Sequence, residues 1–530
     1  MWLCWNGGIL EYWKNSRLGG TSVCSSKVRR RVPLPRPIVR LHPPFQHSHI
    51  PSCQFEAIVK EHNKMNKIKN LSSTGSHFNT GAGPALLPID IGHTKYIGLL
   101  EPDTAFWSLI EKDKLGDALC DGKLLAQFNS KAELFAKEMQ KLRFGLVPSA
   151  VYFNPTDRCN LNCTYCYIPE EMRQQGVHMT PERLCEALGI LKEYFGQTLP
   201  EGRKAQVIFH GAEPLTNKEA VFAGIEAYKN DFRFGVQTNG TLLDDETLAF
   251  LMERNIGIGI SIDGPDATVA DQNRKTWDGK GVFAEVSALL QKLKGYPNYN
   301  VISTVTQKNM STLSQTIDYF HANEVPVCML NPVRCTRQGA RDVKPKDHEL
   351  VPHYLKALDR TYELFEKTGR KIVVANFANI ILGIVAPTAR KLMCDISPCG
   401  GGRAFFAVSA SGDLFPCSEF VGVSTFKGGN LFDGELKQAL KSSAFEGCTQ
   451  RKVENIDGCS RCAVRHFCGS PCPAEAHEMN GGMNQPGAFC ELYEEQVRYA
   501  LRLIADRKEN AFLLDGWDAN TELMVDIKHL

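Results

Sequence analysis

From residue 149 onward, short and almost wholly apolar runs alternate with longer stretches whose apolar residues recur every three or four positions. The runs fall at Ala150 to Pro155, Gln206 to His210, Phe234 to Thr238, Ile256 to Ile262, Val301 to Thr306 and Val327 to Leu330. The periodic stretches predict helices after Thr180 and at about 217–230, 244–255, 281–294 and 311–323. Thr180-Pro181-Glu182 reads as a helix start: threonine caps, proline takes the first helical position, and glutamate sits in the first turn. Cys185 shares the apolar face of that helix with Leu184, Leu188 and Leu191 and is expected in the core. Strands apolar on both faces, separated by helices, imply a parallel sheet covered by helices. Six such units predict an α/β fold, a partial (β/α)6 TIM-like barrel with its active site at the C-terminal strand ends.

The flanks read differently. Lys95 to Leu100 reads as a strand, and Thr104 to Glu111 as a helix start with Phe106, Trp107 and Ile110 apolar. Ser130 to Leu142 reads as a helix capped by Ser130, with Glu133 three residues on and Leu134, Phe135 and Met139 on one face. Phe144 to Val147 then returns as a strand, giving a small N-terminal domain over 65–148. Residues 1–64 hold Arg29 to Arg31 and many prolines, and read as a basic, disordered extension with Met65 as an alternative start. Cys4, Cys24 and Cys53 lie there without metal-ligand spacing. The barrel is expected over 149–345, linker helices over 346–390 and a Cys-rich domain over 391–495. A C-terminal helix and tail complete the chain over 496–530.

Composition narrows the function. Over 530 residues the formal net charge is +2, which argues for neither nucleic acid nor a membrane surface as partner. No apolar run approaches the ~18 residues that span a bilayer, and the first residues lack a secretory pattern. Nineteen cysteines without an export signal point to thiolates kept reduced in a cytoplasmic setting, serving metals or redox chemistry.

The chemistry concentrates in Cys159-Asn160-Leu161-Asn162-Cys163-Thr164-Tyr165-Cys166. Three cysteines this close cannot all pair as disulfides. They suit three corners of a four-iron cluster with one iron left open, a zinc knuckle being the alternative. Other strand ends open onto the same mouth: His210-Gly211-Ala212-Glu213-Pro214, Gln237-Thr238-Asn239-Gly240 and Ser261-Ile262-Asp263-Gly264-Pro265, with Arg274 in the following loop. Small residues at the first of these let backbone approach a ligand closely. Ser261 suits a ribose or carboxylate and Arg274 a carboxylate, although an isolated loop arginine is commonly solvated surface.

These four segments resemble the radical S-adenosylmethionine (SAM) enzymes. The resemblance implies a [4Fe-4S] cluster on Cys159, Cys163 and Cys166 whose open iron chelates the amino and carboxylate groups of SAM. It places Tyr165 by the adenine, Gly211, Ala212 and Glu213 at the methionine ammonium, and Ser261 and Arg274 in contact with SAM. Ala212 stands where the family usually has a second glycine, a change that leaves backbone contacts possible.

A second cysteine field follows: Cys394, Cys399 and Cys417, then Cys459-x2-Cys462-x5-Cys468-x3-Cys472, and Cys490. Eight cysteines suffice for two four-thiolate sites, and on spacing alone structural zinc is an alternative. The pattern is similar to the SPASM extension of peptide-modifying radical SAM enzymes. That resemblance implies two auxiliary [4Fe-4S] clusters, one on Cys394, Cys399, Cys417 and Cys472 and the other on Cys459, Cys462, Cys468 and Cys490. Cys448 is left over and reads as structural. In the anaerobic sulfatase maturases an aspartate that acts as base follows the cysteine equivalent to Cys417. Here Ser418 stands there, and serine cannot take a proton near neutral pH. Glu419 is the candidate replacement, an exposed loop glutamate being the competing reading.

The resemblance implies a maturase that modifies a ribosomally made precursor peptide or a protein through a 5′-deoxyadenosyl radical, by crosslinking, oxidation or epimerisation. It implies a reduced ferredoxin or flavodoxin as electron donor. The 65–148 unit resembles winged-helix leader-peptide recognition domains, a cap on the catalytic domain being the alternative. Other classes remain: a sulfatase maturase forming formylglycine, against which Ser418 counts, and a non-catalytic zinc or iron–sulfur scaffold.

Overall fold

The computed structural model describes residues 86–120, 122–434 and 436–517, so the expected extension over 1–64 lies outside the described residues. The six expected strands are present as β4 (Ala150–Phe153), β5 (Gln206–Phe209), β6 (Arg233–Thr238), β7 (Gly257–Ser261), β8 (Tyr299–Val305) and β9 (Val327–Pro332). They pair in parallel in chain order and the sheet does not close on itself, which makes a partial barrel. Phe153, Phe209, Val236 and Ile258 stand level across four neighbouring strands, all completely buried. Burying each such side chain contributes about 1.5–3 kcal/mol, so the row fixes the register that delivers the strand ends.

The helix expected after Thr180 starts at its cap, and a second barrel helix has a side-chain cap of its own. Thr180 Oγ1 accepts from Arg183 N at 3.2 Å at the head of the helix Pro181–Thr198. Asp244 accepts from Thr247 N at 2.7 Å at the head of Asp245–Glu253. Cys328 and Cys335 are buried core residues, whereas Cys185, expected in the core, is only partly buried.

The sheet extends beyond the expected barrel. β10 (Val373–Val374), from the expected linker, pairs parallel to β9. β11 (Phe405–Val408), from the Cys-rich segment, pairs parallel to β4 and continues antiparallel into β12 (Asp413–Phe415) and β13 (Gly429–Asn430). Unpaired edges on β4 and β9 would leave ladder N–H and C=O groups without partners, and these later segments cover them. One ten-stranded sheet therefore runs through the boundaries expected at 345 and 390, and the helix Cys490–Asp506 runs through the one at 495.

The N-terminal unit corrects three expectations. Thr104 to Glu111 does not begin a helix: β3 (Phe106–Glu111) pairs antiparallel with β2 (Tyr96–Glu101), which pairs with β1 (Leu87–Ile89). Aromatic and β-branched content favours the strand. Glu101 closes the intervening turn by accepting from Thr104 N at 2.7 Å and Thr104 Oγ1 at 2.6 Å. Ser130 is no cap, because the helix runs from Gly122 to Phe144 without a breaker. Phe128, Phe135, Met139 and Leu142 are its buried stripe, and Leu134 is 49% exposed. Phe144 to Val147 forms no strand: the helix ends with Gly145 N donating to Lys141 O, and pairing resumes at Ala150. The unit packs on the later chain through Trp107 Nε1, which donates to Ile384 O at 2.9 Å, and through Arg143, paired with Glu454 at 2.7 Å.

Candidate active site

The cysteine loop leaves the end of β4 and is fastened from two sides. The loop after β7 clasps it: Asn162 N donates to Lys275 O at 2.7 Å, Thr164 N to Asn273 O at 3.0 Å, and Trp277 Nε1 to Cys159 O at 2.9 Å. From the other side Arg173, itself buried, donates to Leu161 O at 3.2 Å and to Asn162 Oδ1 at 3.0 Å. Its guanidinium also stands over the Trp277 ring, 5.1 Å from the centroid. Arg173, Asn273 and Trp277 were not legible in the sequence, since each acts through a contact between distant segments.

Cys159, Cys163 and Cys166 face one cavity of about 940 Å³, counting its open mouth, together with Tyr165, Gly211, Ala212, Ser261 and Arg274. Burial pushes the Cys163 thiol up to about 11 and moves Cys159 and Cys166 in the same direction. Thiols in such surroundings ionise when a cationic group draws off the proton, as metal ligation does.

Tyr165 Oη donates to Asp263 Oδ2 at 2.5 Å and accepts from Arg274 Nη1 at 2.7 Å, so its ring is held in place. Arg274 is 7% exposed, not solvated, and its buried Nε has no hydrogen-bond partner within the described chain. An unsatisfied guanidinium N–H on a cavity wall suits a ligand carboxylate. Gln237 lines the cavity as well, with a buried Oε1 that lacks a partner. Gly259 makes room for it, since a Cβ there would lie 2.0 Å from that oxygen. The donor set of three thiols, an open guanidinium N–H and backbone at Gly211 and Ala212 fits a thiolate-held cluster with SAM.

Glu213 does not reach the cavity wall. It is fully buried, and its carboxylate accepts from Asn239 N at 2.7 Å, Thr238 Oγ1 at 2.8 Å and Leu215 N at 3.0 Å. Burial outweighs these bonds and pushes its carboxyl up to about 7. Glu213 thus ties the end of β5 to the end of β6. Its neighbour His210 does face the cavity, and burial pushes its imidazole down to about 3, so it is neutral.

A second cavity of about 520 Å³ shares Arg334 and Glu419 with the first. Cys394, Cys399, Cys417 and Cys472 all line it, the set expected for one auxiliary site. Cys459, Cys462, Cys468 and Cys490 gather separately, close enough that each of the last two feels the charge of the first two. Among the described residues no three cysteine, histidine or acidic side chains converge tightly enough for one metal ion.

Glu419 is 8% exposed, not a surface residue, and with Arg334 it lines both cavities. Arg334 forms a buried ion pair with Glu475 at 3.7 Å, and Glu475 N donates to Cys472 Sγ at 3.5 Å. Arg334 lies two residues past β9, so the strand-end rule that flagged Ser261 would have found it.

The comparisons agree with this geometry. The family model described as the Radical SAM superfamily matches residues 153–320. An uncharacterized protein of Archaeoglobus fulgidus is 39% identical over 77% of this chain and 92% of its own length. A cysteine-type anaerobic sulfatase-maturating enzyme of Clostridium perfringens is 22% identical over 65% of this chain and 94% of its own. Among solved structures, the enzyme anSMEcpe with bound AdoMet and the Cp18Cys peptide matches 68% of this chain and 99% of its own, with TM-score 0.60 and 20% identity. Streptococcus suis SuiB bound to the precursor peptide SuiA matches 76% of this chain and 98% of its own, with TM-score 0.51 and 12% identity.

Proposed function

Because the chain belongs to the radical SAM superfamily, we propose that it is a maturase that modifies a side chain of a peptide or protein. The observation that carries this reading is one cavity lined at once by the three cysteines, by the strand-end residues suited to SAM, and by Glu419 from the C-terminal cysteine field. Relatives that mature sulfatases, and a structural neighbour bound to a precursor peptide, support a polypeptide substrate.

When bound, the cluster and SAM would supply one-electron radical chemistry capable of removing a hydrogen atom from the substrate. The chain's part is to hold, orient and exclude water. Cys159, Cys163 and Cys166 ligate the cluster. Tyr165, fixed by Asp263 and Arg274, presents its ring to the adenine. Gly211 and Ala212 offer backbone to the methionine ammonium, Ser261 meets the ribose or carboxylate, and Arg274 Nε meets the carboxylate. Glu213 braces the turn beneath them. Glu419, on the wall of the same cavity, takes the substrate proton. The second field forms a SPASM domain holding two auxiliary [4Fe-4S] clusters on the two cysteine sets. A reduced ferredoxin or flavodoxin supplies the electron, and the setting is the cytoplasm. The product is a crosslink, an oxidised side chain or an epimer, and Ser418 after Cys417 counts against formylglycine formation.

The test is anaerobic incubation with SAM, a reductant and candidate peptides, followed by mass spectrometry. The expected result is 5′-deoxyadenosine together with loss of two hydrogens from the peptide, or deuterium uptake without mass loss for epimerisation. A colourless protein that holds zinc without sulfide and yields no 5′-deoxyadenosine would sink the proposal.

A further inference from the structure

Arg403 and Arg451 are buried among the C-terminal cysteines, 7% and 2% exposed, with no acid beside them. Arg403 Nε donates to Cys399 O at 3.0 Å, Nη1 to Leu142 O at 3.2 Å and Nη2 to Pro398 O at 2.6 Å. Arg451 Nε donates to Met483 O, Nη1 to Ser470 O at 2.7 Å, and Nη2 to Ser470 Oγ at 3.1 Å and Gln485 O at 2.9 Å. Every one of these acceptors is an uncharged carbonyl or hydroxyl oxygen. Three other buried arginines, Arg143, Arg334 and Arg465, each meet a carboxylate. A buried cation is ordinarily paired, so Arg403 and Arg451 call for a negative charge that the described residues do not give them as a carboxylate.

Their acceptors lie on the segments that carry the cysteines. Arg403 holds Cys399 itself and the preceding Pro398. Ser470 stands between Cys468, expected in one four-thiol set, and Cys472, expected in the other. Arg451 therefore grips the chain where the two sets interleave. That crossover is tight: Ser470 has a φ of 46°, and a Cβ on Gly469 would lie 2.7 Å from the Ile396 backbone. The backbone around Arg451 reaches the loop of Cys394 and Cys399 as well. Arg451 O accepts from Ser397 Oγ at 3.1 Å, and that hydroxyl accepts from Val453 N at 2.7 Å. Arg403 thus serves one set and Arg451 serves both. An iron–sulfur group held by four thiolates is anionic, more so once reduced, and the charge and hydrogen bonding around it set its potential.

We propose that Arg403 and Arg451 are positioning residues that act as fixed counter-cations. Arg403 serves the iron–sulfur group on Cys394, Cys399, Cys417 and Cys472. Arg451 serves that group and the one on Cys459, Cys462, Cys468 and Cys490 together. The inference rests on the reading that the C-terminal field holds two such groups. Each guanidinium fixes a ligand-bearing segment through its carbonyls, and its charge favours the reduced form of the group beside it. On reduction one electron enters a group from the reductant, no bond forms or breaks, and both guanidinium groups keep their protons.

The test is a redox titration, read by electron paramagnetic resonance, of the full chain with Cys159, Cys163 and Cys166 replaced by alanine, so that only the C-terminal field binds iron. After anaerobic reconstitution this parent is expected to hold about eight irons and eight sulfides. Arg403→Gln should keep that content and make one of the two groups about tenfold harder to reduce, a fall of about 59 mV, with the other unmoved. Arg451→Gln should lower both potentials. Arg403→Lys and Arg451→Lys, which keep the charge, should restore most of each fall. A glutamine variant that loses iron while its lysine counterpart holds it supports the assignment equally. Unmoved potentials in both glutamine variants, an Arg403→Gln shift shared equally by the two groups, or lysine variants that shift or lose iron as far as the glutamine ones, overturn the counter-cations alone. The arginines are replaced separately, so that a variant that does not fold leaves the other to decide. A parent without iron and sulfide overturns the assignment together with the reading beneath it.

Discussion

The two cysteine regions gather their thiols by opposite constructions. The first takes its three thiols from one loop, and the ends of β5 to β7 only need to face it. The second takes its thiols from a loop before β11, the end of β12, several short helices and the head of Cys490–Asp506. In the first, local spacing sets the ligand geometry and the fold supplies a floor. In the second, the fold supplies the geometry itself. The contrast implies that SAM cleavage survives damage to the second region, whereas no product survives damage to either.

The largest test of that contrast is a pair of substitutions. Cys163→Ala should abolish 5′-deoxyadenosine formation. Cys417→Ala should keep SAM cleavage within about tenfold, since general positioning of SAM is untouched, while peptide product disappears. Equal loss in both would break the comparison. Next, Glu419→Gln should cut product by about 10²–10⁴-fold while SAM cleavage persists, measured as the ratio of modified peptide to 5′-deoxyadenosine. Arg274→Ala should weaken SAM binding by about 2 kcal/mol or more, roughly a thirtyfold rise in Kd, because a buried charged donor is lost on one side of the ligand only.

A pH measurement sharpens the structural side. The Glu213 carboxyl is raised from 4.5 to about 7 by burial. Between these values the folded chain keeps a proton that the unfolded chain has released. Stability is therefore greatest below the unfolded value and falls as pH rises towards about 7, by up to about 3 kcal/mol. Urea unfolding of wild type and Glu213→Gln at acidic and at mildly alkaline pH should show the slope in the first and its absence in the second. The smallest effect is expected from Trp277→Phe, which removes one hydrogen bond to Cys159 O and should cost about 1 kcal/mol of stability, read in the same unfolding experiment.

The six barrel strands and their helices were legible because each carries its own period, and at Thr180 a cap as well. β3 was misread because Phe106, Trp107 and Ile110 suit either a helix or a strand, and the choice fell to a partner strand outside the window. Arg274 and Glu419 are buried although each had an exposed alternative, since burial of a charged side chain depends on what folds over it.

Sequence alone determined the cysteine loop, the parallel sheet and which strand ends carry polar residues, because spacing along one segment fixes distances that a short loop can span. Tertiary structure decided what that spacing cannot reach. It placed β11 beside β4, set Glu419 and Arg334 between the two cavities, turned Glu213 from ligand to brace, and brought Cys448 to the four thiols it was expected to ignore. Contacts between residues far apart in the chain depend on how edge strands find partners and how buried charges find counter-groups, and these are settled only when the whole chain packs.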